Sequence, residues 1–331
     1  MTNKETALAS IGHQETQVIP YHCMFLPPLQ SKILNHFGSD DVDLAVGNFV
    51  DWKYPPADYG NTRLNDKEWV DEWGVRLKDT GVNRGYIVAH PLQEPDLSLV
   101  KVFDPQTPGR WLGMQTACEK HKDLLLIGWC GSLFERAHFM RGMEQLFMDF
   151  YERPDFVHKL LDICLQACLG MVGELARFPI DVIMLSDDYG HQQAAMFSHT
   201  IFKEYFLPRL KLIFSAIHSH GRKTGLHSCG NVIIFIKDLI EAGLDILHPV
   251  QPEAMNVYEV KREFGRDLTL YGGISTQQLL PRGTPDEIRA TVREIKTRLG
   301  RGGGFILAPA LDIQHDVPLE NVLTFLKSVR E

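Results

Sequence analysis

The sequence lacks the features that mark membrane, secreted or nucleic-acid-binding proteins. No stretch approaches the apolar length of a bilayer-spanning helix. The opening Met-Thr-Asn-Lys-Glu-Thr has no basic segment followed by an apolar core. No cluster of lysine and arginine is present, and the formal net charge is −8, which argues against nucleic acid as the main partner. We therefore expect a cytoplasmic protein that uses neither a membrane nor a nucleic acid.

Several frameworks of structure and catalysis are also missing. The six cysteines are scattered without the spacing of a disulfide framework, which fits reduced thiols in a reducing compartment. No Gly-x-Ser-x-Gly elbow occurs, so Ser-His-Asp hydrolysis is not expected. The glycines at 302–304 precede a predicted strand instead of joining a strand to a helix, and they therefore lack the context of a dinucleotide or P-loop motif.

The alternation of apolar and amphipathic segments predicts an α/β fold. Of the 331 residues, 44% are hydrophobic and 23% charged, as in globular proteins. Short β-branched runs alternate with longer amphipathic segments, which is typical of strand-helix units around a parallel sheet. The predicted strands are 44–50, 85–90, 124–129, 181–185, 223–227, 245–250, 268–271 and 305–307. The predicted helices are 143–150, 154–176, 198–220, 232–242, 285–299 and 318–330.

Eight parallel strands with outer helices favour a closed (α/β)₈ TIM barrel whose active site lies at the carboxyl ends of the strands. A doubly wound open sheet is the competing fold. Residues 51–108 are rich in Trp, Tyr, Pro and Asp, which is typical of an elaborated loop or lid over the barrel mouth. We predict that residues 1–331 form a single domain.

The tetrad His227-Ser228-Cys229-Gly230 is the most informative motif, because it follows the predicted strand 223–227. Side chains two residues apart on a strand project to one face. His227 and Cys229 can therefore offer a nitrogen and a sulfur to one borderline-soft ion such as Zn²⁺. The alternative is a buried imidazole that is hydrogen-bonded to backbone beside an inert thiol.

Polar residues follow two other predicted strands. Asp187 and Asp188 come after strand 181–185, where they contact a ligand or orient a metal ligand, or instead cap the next helix. His248, within the predicted strand 245–250, and Gln251 and Glu253, just after it, offer an imidazole, an amide and a carboxylate. For His248, a core histidine satisfied by its neighbours is the alternative.

Six segments together resemble the uroporphyrinogen decarboxylase superfamily, which also contains zinc-dependent methyltransferases that exchange methyl groups with corrinoid proteins or thiols. The resemblance implies an (α/β)₈ barrel. The segments are Asp71-Glu72-Trp73-Gly74, Phe134-Glu135-Arg136, Ser186-Asp187-Asp188-Tyr189-Gly190, residues 227–231, Pro249-Val250-Gln251-Pro252-Glu253 and residues 303–321.

The amino-terminal region departs from the decarboxylases. Those enzymes carry an Arg-Gln-Ala-Gly-Arg-like segment whose arginines hold the porphyrinogen carboxylates, whereas residues 19–28 read Ile-Pro-Tyr-His-Cys-Met-Phe-Leu-Pro-Pro. A substrate with many carboxylates needs several cationic donors. We therefore do not expect uroporphyrinogen decarboxylation.

The resemblance to corrinoid-linked methyltransferases implies a zinc site. In those enzymes zinc is held by a His-x-Cys pair and a later cysteine near the final strand. His227 and Cys229 match the pair, but no cysteine follows Cys229. The third ligand must therefore differ, and the candidates are Asp312, His248, Glu253 and Asp187.

The sequence thus predicts a zinc-dependent methyltransferase that moves a methyl group from a small methyl ether or methylamine to a corrinoid protein. The corrinoid must come from a partner, since no cobalamin-binding Asp-x-His-x-x-Gly motif occurs. A metal-free decarboxylase or lyase for a small acid, and a non-catalytic ligand-binding barrel, are the alternatives. The methyl donor, the methyl acceptor and whether the chain forms a homodimer stay open.

We predict the following roles for the candidate site residues. His227 and Cys229 are the metal ligands, and Asp187 and Asp188 are catalytic. The candidate substrate-binding residues are Tyr189, His191, His248, Gln251, Glu253 and Asp312.

Overall fold

A computed structural model of the chain describes residues 1–55, 59–79, 85–101 and 103–331. Its strands are β1 (Val50–Lys53), β2 (Thr62–Arg63), β3 (Glu68–Val70), β4 (Arg76–Lys78), β5 (Tyr86–Ala89), β6 (Leu125–Trp129), β7 (Val182–Ser186), β8 (Lys223–His227), β9 (Ile246–Val250), β10 (Thr269–Ile274) and β11 (Phe305–Pro309). Strand β1 and strands β6 to β11 form a parallel sheet of seven strands in chain order. Strands β2 to β5 form a separate antiparallel sheet.

A short extended segment connects the two outer strands of the parallel sheet. The backbone N–H of Leu307 in β11 donates to the Pro20 carbonyl at 2.9 Å, and that of His22 donates back to Leu307 at 3.0 Å. On the other side, the Phe49 N–H donates to the Tyr21 carbonyl at 3.0 Å, one residue before β1. The parallel sheet and its helices therefore form a barrel-like α/β fold, as the sequence predicts. The described residues place seven strands in the parallel sheet, not the expected eight.

Six of the predicted strands match β6 to β11 within a few residues. The prediction for 44–50 was wrong, because Asp41 accepts a hydrogen bond from the Leu44 N–H and caps a helix over Val42–Val46. The chain enters β1 only at Val50. The prediction for 85–90 identified a strand, but β5 is an edge strand of the antiparallel sheet.

Helices cover the parallel sheet and explain its burial. They are α1 (Asn3–Ile11), α2 (Pro27–Phe37), α3 (Val42–Val46), α4 (Met114–Lys120), α5 (Phe134–Arg141), α6 (Met143–Glu152), α7 (Pro154–Leu175), α8 (His199–Ile201), α9 (Leu207–Ser219), α10 (Ile236–Glu241), α11 (Val257–Phe264), α12 (Leu279–Arg282), α13 (Pro285–Leu299) and α14 (Leu319–Arg330). A π-helical turn joins α8 to α9, so the predicted helix 198–220 is a continuous helical run. Every residue of β9, β10 and β11 is buried, as expected for parallel strands covered on both faces.

Helix α7 corrects one expectation from the sequence. It has 22 residues and is apolar and long enough to cross a membrane by length and composition, although half of the qualifying window is buried inside the protein. Its buried side chains include Phe156, Leu160 and Leu175. A core helix passes the same length and composition test, so this helix is weak evidence of a membrane span.

The segment predicted as a loop or lid contains part of both sheets. It begins within β1 and includes β2 to β5, while its residues 56–58, 80–84 and 102 lie outside the described part of the chain. Asp71 of the loop after β3 pairs with Arg136 of α5 at 2.7 Å, and Glu72 pairs with Arg110. These contacts attach the antiparallel sheet to its surroundings. Whether the sheet covers a substrate stays a prediction.

Candidate metal centre

His227 and Cys229 lie on one face at the carboxyl end of β8. His227 is the last residue of the strand, and the Cys229 Sγ lies 3.5 Å from the His227 Nε2. Both side chains are partly exposed, whereas Ser228 between them is buried. The Ser228 hydroxyl accepts a hydrogen bond from the Tyr189 N–H at 2.9 Å. The alternation expected of a strand therefore holds through this motif.

Asp188 completes a cluster of three potential metal ligands. Its Oδ1 lies 3.8 Å from the His227 Nε2 and accepts the Cys229 backbone N–H at 2.7 Å. One ligand atom from each of Asp188, His227 and Cys229 lies within 4.8 Å of the other two. The sequence analysis did not name Asp188 as a third ligand.

The donor set fits zinc. Tetrahedral zinc holds nitrogen, oxygen and sulfur at about 2.0–2.3 Å, which separates such donors by roughly 3.3–3.7 Å. The 3.5 Å separation of Cys229 Sγ from His227 Nε2 falls within this range, and the 3.8 Å separation of Asp188 Oδ1 from the same atom is slightly longer. Three protein ligands leave a fourth position for water or substrate, as in catalytic zinc sites. Burial and the neighbouring Asp188 raise the pKa of the Cys229 thiol, so an ion must displace its proton.

His248 supports His227 from the next strand. The Nδ1 atoms of the two rings lie 2.9 Å apart, so one of them must donate a proton to the other. Burial and the neighbouring His227 hold the pKa of His248 well below its usual value, which keeps its ring neutral. If His227 offers its Nε2 lone pair to an ion, its Nδ1 carries the proton and donates to His248. His248 is therefore placed to fix the tautomer and orientation of a ligand.

The neighbouring Asp187 lies outside the cluster. Asp187 is fully buried, and its carboxylate accepts the backbone N–H groups of residues 133, 134 and 135 at 2.7–2.9 Å. It also accepts the Tyr189 hydroxyl at 2.7 Å. Burial raises the pKa of Asp187 to about 6 despite these hydrogen bonds. Asp187 thus caps α5, the helix after β6, and not the helix after its own strand.

Tyr189 and His191 are also placed apart from the three ligands. Tyr189 is fully buried, and its hydroxyl is held by Asp187. Its ring packs among phenylalanine side chains, namely Phe197, Phe202, Phe206 and Phe235. His191 is exposed, and its carbonyl accepts the Asn231 N–H at 2.8 Å. Both residues therefore support the loops after β7 and β8.

These two loops touch through glycine. A side chain on Gly230, which has φ +81°, would place its Cβ 2.4 Å from the Gly190 carbonyl carbon. No residue with a Cβ fits there without displacing the backbone. The Gly230 N–H donates to the Gln251 side-chain oxygen. Gln251 thus fixes the turn that follows Cys229, and its contact with substrate stays a prediction.

Glu253 and Asp312 follow β9 and β11. One Glu253 oxygen accepts the Ser275 hydroxyl at 2.5 Å and the Gln277 N–H at 3.3 Å. The other oxygen is buried and has no hydrogen-bond partner among the described residues. Asp312 is partly exposed. Neither residue belongs to the Asp188, His227 and Cys229 group, so the structure favours Asp188 over both as the third ligand.

Aromatic residues line the neighbouring strand ends, and the sequence analysis missed them. Trp52 of β1 stacks with Tyr54 at a centroid distance of 6.1 Å, and Tyr54 meets Trp129 of β6 edge-on at 6.4 Å. The Trp52 ring lies 5.4 Å from the ring of His248. We call Trp52, Tyr54 and Trp129 the aromatic wall. Trp129 ends a correctly predicted strand, so its place at the strand ends was readable from the sequence.

A second group of potential metal ligands, Asp43, Asp51 and His121, lies near β1, α3 and α4, but its side chains are paired within the protein. His121 contacts Asp51 at 2.5 Å through Nδ1 and Asp41 at 2.7 Å through Nε2. Lys53 pairs with Asp51, and Lys120 pairs with Asp41 at 2.5 Å. Both imidazole nitrogens and two carboxylates are thus engaged within the protein, which leaves no lone pair of the ring for an ion.

The fold and the cluster define an α/β barrel-like protein with its site at the carboxyl ends of parallel strands. Within this class, the chain belongs to the uroporphyrinogen decarboxylase family, whose sequence model matches residues 74–331. This is a family of enzymes.

Individual members of this family and one solved structure are also similar to the chain. The chain is 26% identical over 261 residues to a uroporphyrinogen decarboxylase of Neisseria gonorrhoeae, covering 73% of this chain and 70% of that one. It is 24% identical over 256 residues to the enzyme of the same name from Nitrosospira multiformis, covering 72% and 67%. Its structure is similar to a methyltransferase from Methanosarcina mazei, with a TM-score of 0.78, 19% identity and coverage of 100% and 98%. The structural likeness shows the fold.

Proposed function

We propose that the protein is a zinc-dependent methyltransferase that moves a methyl group from a small methyl ether or methylamine to a corrinoid held by a separate protein. The observation that carries this proposal is the cluster of Asp188, His227 and Cys229, with three different donor atoms and geometry suited to an open zinc site. The likeness to the Methanosarcina protein, which shows the fold, is in keeping with methyl transfer as the reaction class, since that protein is named a methyltransferase.

The residues around the site have different proposed roles. Asp188, His227 and Cys229 would hold the ion, and His248 would keep the proton on the His227 Nδ1. Bound zinc supplies a Lewis acid that polarises the heteroatom of the substrate. Gln251 fixes the turn beside Cys229, which limits the motion of one ligand. The aromatic wall stands at the ends of neighbouring strands, where it can exclude water from the reacting groups.

Porphyrinogen decarboxylation is the second candidate, because the curated relatives carry that name. Three observations count against it. Residues 19–28 contain no arginine, and the family match begins only at residue 74. Arg110 and Arg136, next to the antiparallel sheet, are already paired with Glu72 and Asp71. A polycarboxylate that lost its hydration without cationic partners would bind poorly.

Activity assays separate the two candidates. Purified, zinc-loaded protein would be incubated with cob(I)alamin and, separately, methanol, methylamine and methoxybenzenes, and methylcobalamin formation followed by absorbance. Parallel incubations with uroporphyrinogen would follow release of carbon dioxide. We expect methylcobalamin with at least one donor, loss of the activity on zinc chelation, and no carbon dioxide. Decarboxylation without methyl transfer would establish the second candidate instead, and activity that survives chelation would indicate a metal-free reaction.

A further inference from the structure

The segment that connects the outer strands of the parallel sheet carries a buried histidine, His22. Its backbone N–H donates to Leu307 of β11, and only 3% of the residue is exposed. The His22 Nδ1 is hydrogen-bonded to the Tyr271 hydroxyl of β10, to which Trp52 of β1 donates its indole N–H at 3.4 Å. Because β1 and β10 are not neighbours in the sheet, these side chains meet inside it.

Burial fixes where the protons of this contact lie. It raises the pKa of Tyr271 well above its usual value, so the phenol keeps its proton. It lowers the pKa of His22 to about 3, so the ring is neutral and one nitrogen has a lone pair. An indole N–H can only donate, so Trp52 leaves the phenol proton for another acceptor. Tyr271 therefore donates to the His22 Nδ1.

Tyr271 also packs against His248 on the neighbouring strand. The two ring centroids lie 4.3 Å apart, with an interplanar angle of 55°. Tyr271 is completely buried, and His248 is 6% exposed. The Trp52 ring lies 5.4 Å from the same imidazole. The orientation of His248 is therefore limited by two aromatic side chains whose polar atoms are hydrogen-bonded to each other.

His248 in turn contacts the candidate metal ligand His227. The two residues are paired in register on β8 and β9, and their Nδ1 atoms lie 2.9 Å apart. A hydrogen bond depends on direction as well as length, so a rotated His248 would no longer partner the His227 Nδ1. A ligating imidazole whose second nitrogen loses its partner holds a metal less tightly.

We propose that His22 and Tyr271 are positioning residues of the candidate metal centre, an inference that rests on the zinc site of the proposed function. Neither belongs to the group of three ligands. His22 accepts the Tyr271 hydroxyl and so holds the phenol ring against His248, which fixes the partner of the His227 Nδ1. The amino-terminal segment, which lacks the arginines of the decarboxylases, thus serves a metal ligand instead of a polycarboxylate substrate.

Zinc affinity and histidine tautomers, measured in the full chain, test the inference. His22→Leu fills much of the space of the imidazole but offers no acceptor, whereas the side-chain carbonyl in His22→Gln can accept the Tyr271 hydroxyl. Competition with a chelating dye gives the Kd for zinc. Nitrogen-15 NMR, with and without zinc, reads which ring nitrogen of His227 and of His248 carries the proton.

We expect His22→Leu to raise the Kd for zinc about fivefold, less than the roughly 10- to 100-fold of a lost direct partner. The wild type should show one tautomer of His227, and His22→Leu a mixture of two. His22→Gln should restore the affinity and the single tautomer. Tyr271→Phe should resemble His22→Leu, and the double variant should be no worse than either, because both changes remove the same hydrogen bond.

Tyr21→Phe is the matched control, because it removes the hydrogen bond of a buried hydroxyl from the same segment. The Tyr21 hydroxyl donates to the Val46 carbonyl at 2.8 Å, and the residue is 3% exposed. Adjacent side chains on an extended segment point in opposite directions. Tyr21→Phe should therefore lower the urea midpoint of unfolding and leave the Kd for zinc and the tautomers unchanged.

The outcomes separate this inference from the proposed function. An unchanged Kd and a single tautomer in His22→Leu would overturn the inference and leave the zinc site intact. Equal losses of affinity in His22→Leu, His22→Gln and Tyr21→Phe would also overturn it, since they would indicate general loosening of the segment. A wild type that binds no zinc would remove the proposed function. The metal-free spectra would then decide the inference: mixed tautomers of His227 in His22→Leu alone would uphold the positioning role, and a single tautomer would overturn it.

Discussion

At the scale of single residues, two adjacent aspartates have opposite positions. Both Asp187 and Asp188 were predicted from the sequence to be catalytic. Consecutive side chains along a strand point to opposite faces, and that alternation continues past the end of β7. Asp188 therefore lies beside the His227 Nε2, while Asp187 points outward to the first turn of α5. The same alternation along a strand predicts that His227 and Cys229 share a face. It also predicts, from the sequence alone, that the adjacent Asp187 and Asp188 point to opposite faces.

Substitution of each aspartate by asparagine should separate the two positions. Asp188→Asn removes a charged zinc ligand and should lower zinc affinity on the order of 10- to 100-fold, with little change in unfolding. Asp187→Asn removes the charge that caps α5 from a buried site and should lower the free energy of unfolding by roughly 2–3 kcal/mol, with zinc affinity retained. Metal titration and urea denaturation of both variants measure these effects.

The opposite result would reverse the assignment. If Asp187→Asn lost zinc and Asp188→Asn only unfolded more easily, Asp187 would be the zinc ligand and Asp188 the structural residue. Asp286→Asn is a suitable control, because Asp286 is exposed and pairs with Arg289 in the first turn of α13.

At the scale of secondary-structure elements, the antiparallel sheet is attached to the barrel-like sheet by ion pairs. Asp71 and Arg136 are both mostly buried, with 16% and 17% of their side chains exposed. The second oxygen of Asp71 accepts the Trp73 and Val75 N–H groups at 3.0 and 2.8 Å. A single carboxylate thus closes the turn between β3 and β4 and docks it on α5. This contact gives a physical role to two segments that carry the family resemblance.

Arg136→Gln should loosen the antiparallel sheet without unfolding the parallel one. Removing one partner of a mostly buried ion pair leaves the other charge uncompensated. We expect amide hydrogen exchange to become roughly tenfold faster in residues 68–79, with no change in β7 and β8. Exchange followed by mass spectrometry reads both regions in one experiment.

Arg289→Gln, at the exposed ion pair of α13, serves as the control and should leave exchange in residues 68–79 unchanged. Unaltered exchange in Arg136→Gln would mean that packing holds the sheet instead. The stacked rings of Trp73 and Phe103, 5.3 Å apart, would then be the main attachment.

At the scale of the whole molecule, the core and the candidate metal centre are separate. The parallel strands and the helices around them bury a continuous apolar core, whereas the three ligands lie at its edge and are partly exposed. We therefore expect folding not to require the ion. Zinc should nevertheless stabilise the native state, because it binds the folded arrangement of ligands.

Zinc at about 100 times its Kd should stabilise the folded protein by roughly 2.7 kcal/mol, which corresponds to a rise in Tm on the order of 5 °C. Chelation should remove the rise but leave the protein folded, as measured by circular dichroism and calorimetry. Cys229→Ala should show no zinc-dependent rise. Cys164→Ala, at a buried cysteine outside the cluster, should have a lower Tm but keep the zinc-dependent rise in Tm. A zinc-dependent rise that survives in both His227→Ala and Cys229→Ala would place the metal elsewhere.

The sequence determined the α/β character, six strands of the parallel sheet and the His227 and Cys229 pair, because these depend on local periodicity. It also determined the absence of arginines in residues 19–28. The strand predicted from the sequence at residues 44–50 begins only at Val50, because Asp41 caps a helix over residues 42–46.

Only the tertiary structure decided which distant residues meet. Asp188 joins His227 because β7 and β8 are in register, with Ser186 opposite His227. The aromatic wall forms because β1, early in the chain, pairs with β6, about 70 residues later. His248 reaches His227 because the two residues are paired on adjacent strands. Periodicity fixes which way a side chain points along its own strand, whereas strand pairing fixes its neighbours, and that pairing depends on contacts between segments far apart in the chain.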